Sequence, residues 1–75
     1  MAERVEANLN CRSQGGQCLL VRRGVFAEAP EVGQPVVFFD PDDEVEGDAV
    51  VELISPGSGL VHLRPDWGSL RDMTE

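Results

Sequence analysis

The sequence predicts an all-β fold: a small antiparallel barrel of five strands, followed by a short C-terminal helical turn. Three apolar runs occupy residues 36–39, 49–54 and 60–63 and are rich in Val, Ile, Leu and Phe. An acidic loop separates the first two runs, and a Ser-Pro-Gly-Ser turn separates the last two. Short apolar runs bounded by Pro, Gly and Asp are typical of consecutive antiparallel strands. No long stretch has the periodicity of a helix, so we expect strands to dominate.

The length of the chain predicts a single small domain over residues 1–75, with one hydrophobic core. An apolar fraction of 41%, with three Phe and one Trp, is enough for such a core. No apolar run approaches the roughly 18 residues of a membrane span. The first ten residues lack the basic start and apolar segment of a secretion signal. We therefore expect a cytoplasmic domain without membrane contact.

The charge of the chain narrows the class of partner. The net charge is −8, and all six basic residues are Arg. Binding to phosphate backbones depends on cationic groups that release counterions, so an excess of carboxylates disfavours nucleic acids and anionic membranes. We expect a protein partner, and a charged partner is expected to be basic.

The first two strands are predicted from alternation and a glycine turn. Apolar and polar residues alternate along residues 4–12, which is the pattern of a strand with one buried face. Gly15 and Gly16 supply a turn, since Gly tolerates the positive φ of tight hairpins. Residues 17–22 then return as the second strand.

The register of this hairpin decides where its two cysteines lie. A two-residue loop at Gln14 and Gly15 would place Cys11 directly opposite Cys18, whereas a loop at Gly15 and Gly16 would not. Both registers stay open from the sequence. Disulfides rarely persist in the cytosol, so we favour two reduced thiols over a cross-strand bridge.

The third and fourth strands flank the acidic loop at residues 40–48. Pro35 is expected at the start of the third strand, because it offers no N–H to a ladder. An EF-hand alignment with Gly47 at its sixth position places Leu53 at the twelfth, where calcium requires a bidentate Glu. We therefore interpret the loop as a solvated hairpin connection without a metal.

The last hairpin has the clearest local signal. Ser55-Pro56-Gly57-Ser58 places Pro and Gly where a type II turn prefers them. A three-residue loop centred on Gly57 predicts four cross-strand pairs: Leu53 with Val61, Val51 with Leu63, Glu52 with His62, and Val50 with Arg64. After residue 65, Asp66 is expected to cap a helical turn through Leu70, and residues 69–72 resemble a capping box.

This layout resembles the SH3-like class of small barrels, with an OB-type barrel as the second choice. The resemblance covers strand number and spacing, and no family motif is matched. It therefore implies a fold and no function.

The residues that could carry chemistry are few. Zinc needs four ligands, and only Cys11, Cys18 and the sole His62 are available among the usual nitrogen and sulfur donors. No nucleophile motif or phosphate-binding loop accompanies them. We predict a noncatalytic protein without cofactors.

An excess of apolar surface is the most informative feature for function. The central strands are apolar on both faces, so one set must be covered or exposed. Residues 24–35 and the C-terminal segment could cover it with Val25, Phe26, Val32, Trp67 and Leu70. Alternatively, it forms a patch for a partner or a second copy. The candidate binding residues are Val50, Ile54, Leu60, Arg64 and Trp67.

Two functions remain after these exclusions. The preferred one is a protein-interaction module that could form a homodimer through the second apolar face. The alternative is a small barrel that binds nucleic acid through a local cluster of Arg12, Arg22, Arg23 and Arg64. For Trp67, a plug that closes the barrel is favoured over an exposed aromatic that stacks on a ligand.

Overall fold

A computed structural model describes residues 2–73 of the chain. These residues form strands joined by turns, with three short 3-10 helical segments at Gln14–Gly16, Arg23–Val25 and Trp67–Ser69. The strands are β1 (Glu3–Glu6), β2 (Arg12–Ser13), β3 (Cys18–Arg22), β4 (Pro35–Asp40), β5 (Val45–Ser55), β6 (Leu60–Pro65) and β7 (Arg71–Asp72). The all-β class predicted from the sequence is confirmed. No helix among the described residues is long and apolar enough to cross a membrane.

The strands belong to one open, mixed sheet. Its order is β1-β4-β5-β6-β3-β2, and the short β7 pairs with the start of β5. β1 runs parallel to β4, whereas the other pairs are antiparallel. Across residues 2–73 no ladder joins β1 to β2, so the expected closed antiparallel barrel is not found in these pairings.

The parallel pairing follows from a break in the first predicted strand. The Asn8 side chain accepts a hydrogen bond from the Asn10 N–H at 2.8 Å. The backbone carbonyl of Asn8 accepts a second one from the Cys11 N–H at 2.9 Å. Asn side chains favour such local turns over a continuing ladder. The chain therefore turns after Ala7, whose N–H donates to the carbonyl of Phe39. Residues 4–12 become two strands on opposite edges of the sheet instead of one arm of a hairpin.

The hydrophobic core lies on one face of this sheet, which we call the inner face. Phe38 and Leu19 are its largest fully buried side chains. Phe26 is buried in the same core, and Val25 packs against it. The predicted cover of the second apolar face by these two residues is therefore wrong, because they fill the inner face instead. Val32 of the same segment remains 64% exposed.

The first hairpin has a register that separates the two cysteines. Ser13 is paired with Cys18, and the Leu20 N–H donates to the carbonyl of Cys11 at 2.9 Å. The loop between β2 and β3 is longer than two residues, with φ of 55° at Gln14. Cys11 is exposed and Cys18 is buried, and both are free thiols. Of the two registers left open by the sequence, the one that places Cys11 directly opposite Cys18 is not found. Burial raises the pKa of the Cys18 thiol, which keeps it protonated and unreactive.

The last hairpin begins in the predicted register and then shifts by one residue. Val50 pairs with Arg64 and Val51 with Leu63, as expected. A β-bulge at Glu52 follows, so that Leu53 pairs with His62. The predicted pairs Leu53 with Val61 and Glu52 with His62 are therefore wrong.

This bulge exchanges the faces of two side chains. Side chains alternate along a strand, so one extra residue turns everything beyond it to the opposite face. Leu53 faces outward and is 44% exposed. Ile54 packs against the inner core instead of belonging to the outer apolar set.

Several local predictions are confirmed where neighbouring residues decide the geometry. Pro35 is the first residue of β4, Gly57 has a φ of 86°, and the Asp66 carboxylate accepts from the Gly68 N–H at 3.1 Å. The capping box at residues 69–72 is wrong. Ser69 Oγ accepts from the Asp48 N–H at 2.8 Å, and β7 follows directly.

Candidate interaction surface

The structure brings together only part of the predicted binding set. Val50 and Arg64 are paired neighbours on β5 and β6 and are both exposed. Leu60 is half-buried at the start of β6, and Ile54 turns to the core. Trp67 lies beyond β6 in a 3-10 segment and is 38% exposed.

A group of apolar side chains forms what we call the outer patch. Its members lie on the face opposite the core, on the neighbouring strands β5, β6 and β3. They are Leu20, Val50, Leu53 and Leu60. Leu20 and Leu53 flank His62 in one row across three strands. Sequence reasoning missed Leu53, because nothing local to Glu52 signals a bulge, and it did not single out Leu20.

Two charged side chains of this face, Glu52 and Arg64, are bound to each other. Arg64 Nε lies 2.9 Å from Glu52 Oε1, and Arg64 Nη2 lies 3.0 Å from Glu52 Oε2. A bidentate pair of this geometry holds both side chains against the sheet. The bulge makes it possible, since it places Glu52 beside Arg64 instead of opposite His62.

The imidazole of His62 is also bound within the face. Its Nδ1 lies 2.7 Å from Ser13 Oγ, and its Nε2 lies 3.1 Å from Ser55 Oγ. A neutral imidazole donates through one nitrogen and accepts through the other, so both hydroxyls can be satisfied at once. A nucleophilic serine needs a base that a third group orients, usually a carboxylate. Here the second nitrogen meets another hydroxyl, and the three residues form a polar bridge across β2, β6 and β5.

The Arg64–Glu52 pair predicts a measurable pKa change. The hydrogen bonds from Arg64 lower the pKa of the Glu52 carboxyl below its ordinary value. The pair therefore contributes to stability above the ordinary Glu pKa, and this contribution is lost as the pH falls through the lowered value. We expect Arg64→Ala to raise the Glu52 pKa back toward the ordinary value, as measured by NMR titration of its side-chain carbonyl carbon. Arg22→Ala is the control and should leave it unchanged; equal Glu52 pKa values in wild type and Arg64→Ala would contradict the pairing.

The four arginines of the nucleic-acid hypothesis lie in different environments. Arg64 is bound to Glu52, and the Arg12 guanidinium lies over the Trp67 ring at 4.7 Å from its centroid. Arg22 lies near the opposite end of β3 from the Arg12 pairing site, and Arg23 follows it in a 3-10 segment. Binding of nucleic acid stays a prediction from sequence.

Trp67 lies outside the buried core cluster in which a plug was expected, and the Arg12 guanidinium lies over its ring. The guanidinium covers one region of the ring, while the exposed fraction leaves part of the indole open to solvent. Stacking of this kind contributes about 0.5–1 kcal/mol at exposed sites.

Among residues 2–73, no three His, Cys, Asp or Glu side chains are arranged to hold a metal ion.

An apolar groove lies at the end of the sheet where β4, β5 and β6 meet. Its volume is about 420 Å³. Pro35, Val50 and Pro65 border it, with Val36 and Ala49 beneath. Two carboxylates, Asp48 and Asp66, complete the lining with Ala2 and Arg64. The two prolines restrict the backbone on both sides, so the groove is a preformed feature.

Comparison with known proteins adds no relative: no family model, curated protein or solved structure matches the chain. The proposals below therefore rest on the chemistry of the surface.

Proposed function

We propose that this chain is a noncatalytic protein-interaction module that self-associates through the outer patch. The observation that carries the proposal is the exposure of Val50 and Leu53, at 42% and 44%, on a face where Glu52 and Arg64 are already paired with each other. Apolar patches of this kind mark contact sites on soluble proteins. Burial of this face would leave the Glu52 carboxylate and the Arg64 guanidinium bound to each other, which avoids the larger cost of burying either charge without a partner.

The distribution of charge favours a second copy as the occupant of this face. Two copies with a net charge of −8 each repel one another over most of their surface. Around the outer patch, two guanidiniums (Arg22 and Arg64) stand beside Glu52, and the carboxylates of Asp48 and Asp66 lie near its Val50 end. This region has a smaller acidic excess than the whole chain, so it is where two copies meet with the least repulsion.

Sedimentation equilibrium at two protein concentrations tests the proposal. We expect the wild-type mass to rise from the monomer value of 8.2 kDa toward twice that value as concentration increases. Leu53→Asp places a charge in the patch and should remain monomeric at both concentrations. Val32→Asp is the matched control, because Val32 is 64% exposed but lies in the loop before β4. A wild-type protein that stays monomeric, or a Leu53→Asp variant that still associates, would overturn the proposal.

A closed SH3-like barrel and a cytoplasmic location are further parts of the same proposal. The likeness to SH3-like barrels rests on the number and spacing of the five strands predicted from the sequence, whereas the described residues form seven strands. An experimental structure in which a ladder joins β1 and β2 would establish the closed form. We further propose a cytoplasmic location, supported by the two free thiols, and cell fractionation tests it.

A further inference from the structure

The groove between Pro35 and Pro65 has two acidic residues at its rim. The Asp66 N–H donates to the Asp48 carbonyl at 2.8 Å, which holds the two residues side by side. Asp66 Oδ1 accepts a hydrogen bond from the Gly68 N–H, and the Asp48 side chain is 59% exposed. The rim therefore has two exposed carboxylates beside an apolar floor, and the Gly68 N–H holds that of Asp66 in place.

Two arginines lie near this rim: Glu52 binds Arg64, and Arg71 lies between Glu46 and Asp48. Arg64 also lines the groove, but Glu52 binds its guanidinium through two hydrogen bonds. Arg71 lies 3.7 Å from Asp48, whereas its Nε makes a shorter bond of 2.9 Å to Glu46. The groove thus combines apolar surface with negative charge that the neighbouring arginines only partly neutralise.

We propose that this groove binds a peptide segment of another protein that carries an apolar side chain next to Lys or Arg. The apolar side chain would enter between Pro35, Val50 and Pro65, and the cation would lie against Asp48 and Asp66. This inference goes beyond the self-association proposed above and needs no second copy, since the groove shares only Val50 with the outer patch. Complementary charge of this kind steers encounter and selects among partners.

The size of the groove supports a short segment as its ligand. Ligand sites in proteins commonly enclose about 300–1,000 Å³. At about 420 Å³ the groove lies at the small end of that range, enough for a few side chains. A second copy of this chain is a poor ligand because its net charge is −8.

Three synthetic hexapeptides of matched length test the proposed chemistry. The probes are Gly-Leu-Arg-Leu-Arg-Gly, Gly-Leu-Glu-Leu-Glu-Gly and Gly-Ser-Arg-Ser-Arg-Gly, each with blocked termini. Binding to the full chain is followed by amide chemical shifts and by the fluorescence of Trp67, the residue next to Asp66. We expect saturable shifts centred on Val36, Ala49 and Val50 with the first peptide, and at least tenfold weaker binding with the other two.

Charge variants identify the carboxylates that are responsible. The double variant Asp48→Asn with Asp66→Asn should bind the first peptide about tenfold more weakly, equivalent to about 1.4 kcal/mol of binding free energy. The side-chain oxygen of Asn can still accept from the Gly68 N–H, so the turn after β6 is kept. Asp42→Asn with Asp43→Asn removes the same charge from the β4–β5 turn and should leave affinity unchanged. Equal binding of the acidic peptide, or equal losses in both double variants, would overturn the proposal.

The monomeric variant separates this proposal from the preceding one. Leu53→Asp should still bind the first peptide, because Leu53 does not line the groove. Peptide binding by a monomeric wild type would reject only self-association. A dimer that shifts no groove amide with peptide would reject only the groove proposal. Shifts of the Val36 and Asp66 amides on concentration alone, beyond any shift of the shared Val50, would place a second copy in the groove and would also overturn it.

Discussion

Gly47→Ala is expected to lower the free energy of unfolding by about 1–3 kcal/mol, the usual cost of overpacking a core. Gly47 is paired directly with Phe38 across β4 and β5. A Cβ at this position would lie 2.8 Å from Phe38 Cζ and 3.0 Å from Phe38 Cε1. Phe38 is fully buried and cannot swing into solvent, so the clash must be relieved by displacing the core or the strand. Urea denaturation of both proteins measures the difference.

A double-mutant cycle with Phe38→Leu shows whether the ring is the cause. The shorter side chain removes the atoms that the new methyl group would meet, so Gly47→Ala should cost less in the Phe38→Leu background. Contacting residues typically show coupling of about 0.5–3 kcal/mol. Gly24→Ala is the matched control: a Cβ there would meet nothing within 4 Å, and a change within about 0.5 kcal/mol is expected. Strictly additive losses in the cycle would reject the proposed clash.

Asp40→Ala is the second substitution with a large expected effect. Asp40 is 3% exposed, and its two carboxylate oxygens accept from the backbone N–H groups of Leu9 and Asp42, each at 3.0 Å. The first bond fastens the chain after β1 to the end of β4, and the second closes the turn into β5. Removal of the carboxylate leaves two donors without an acceptor, which costs about 1–3 kcal/mol. Thermal or urea denaturation measures this loss.

Asp43→Ala is the comparison for this prediction. Asp43 lies in the same turn and carries the same charge, but its side chain is exposed. We expect a change of about 0.5 kcal/mol or less. Hydrogen exchange at the Leu9 and Asp42 amides adds a local readout, since both should exchange faster in Asp40→Ala only. Similar losses of unfolding free energy in Asp40→Ala and Asp43→Ala would show that the removed charge, and not the lost hydrogen bonds, causes the effect.

The strands from β4 to β6 were accessible from the sequence because their signals are local and strong. Residues 36–39 and 60–63 are apolar runs with defined turns at their ends, and they lie within strands. The acidic loop was predicted too long, since β5 begins at Val45. The first residues of β5 are polar on the outer face of the sheet. Polar composition alone does not distinguish a loop from a half-exposed strand.

The candidate surface was predictable only in part. Val50 and Arg64 were named correctly as neighbours because the bulge at Glu52 offsets a connecting loop that is one residue longer than predicted. Leu53 and Ile54 exchanged roles at a single bulge. Face assignment has a period of two, so an error of one residue in register reverses it for the remainder of the strand.

By itself, the sequence determined the all-β class, the type II position of Gly57 and the cap at Asp66, since each depends on side chains a few residues apart. Only the tertiary structure decided the parallel pairing of β1 with β4, the separation of Cys11 from Cys18 and the bulge at Glu52. Those features depend on which distant strands share a buried face. Their free energy comes from packing across the whole sheet, and no short stretch of residues encodes it.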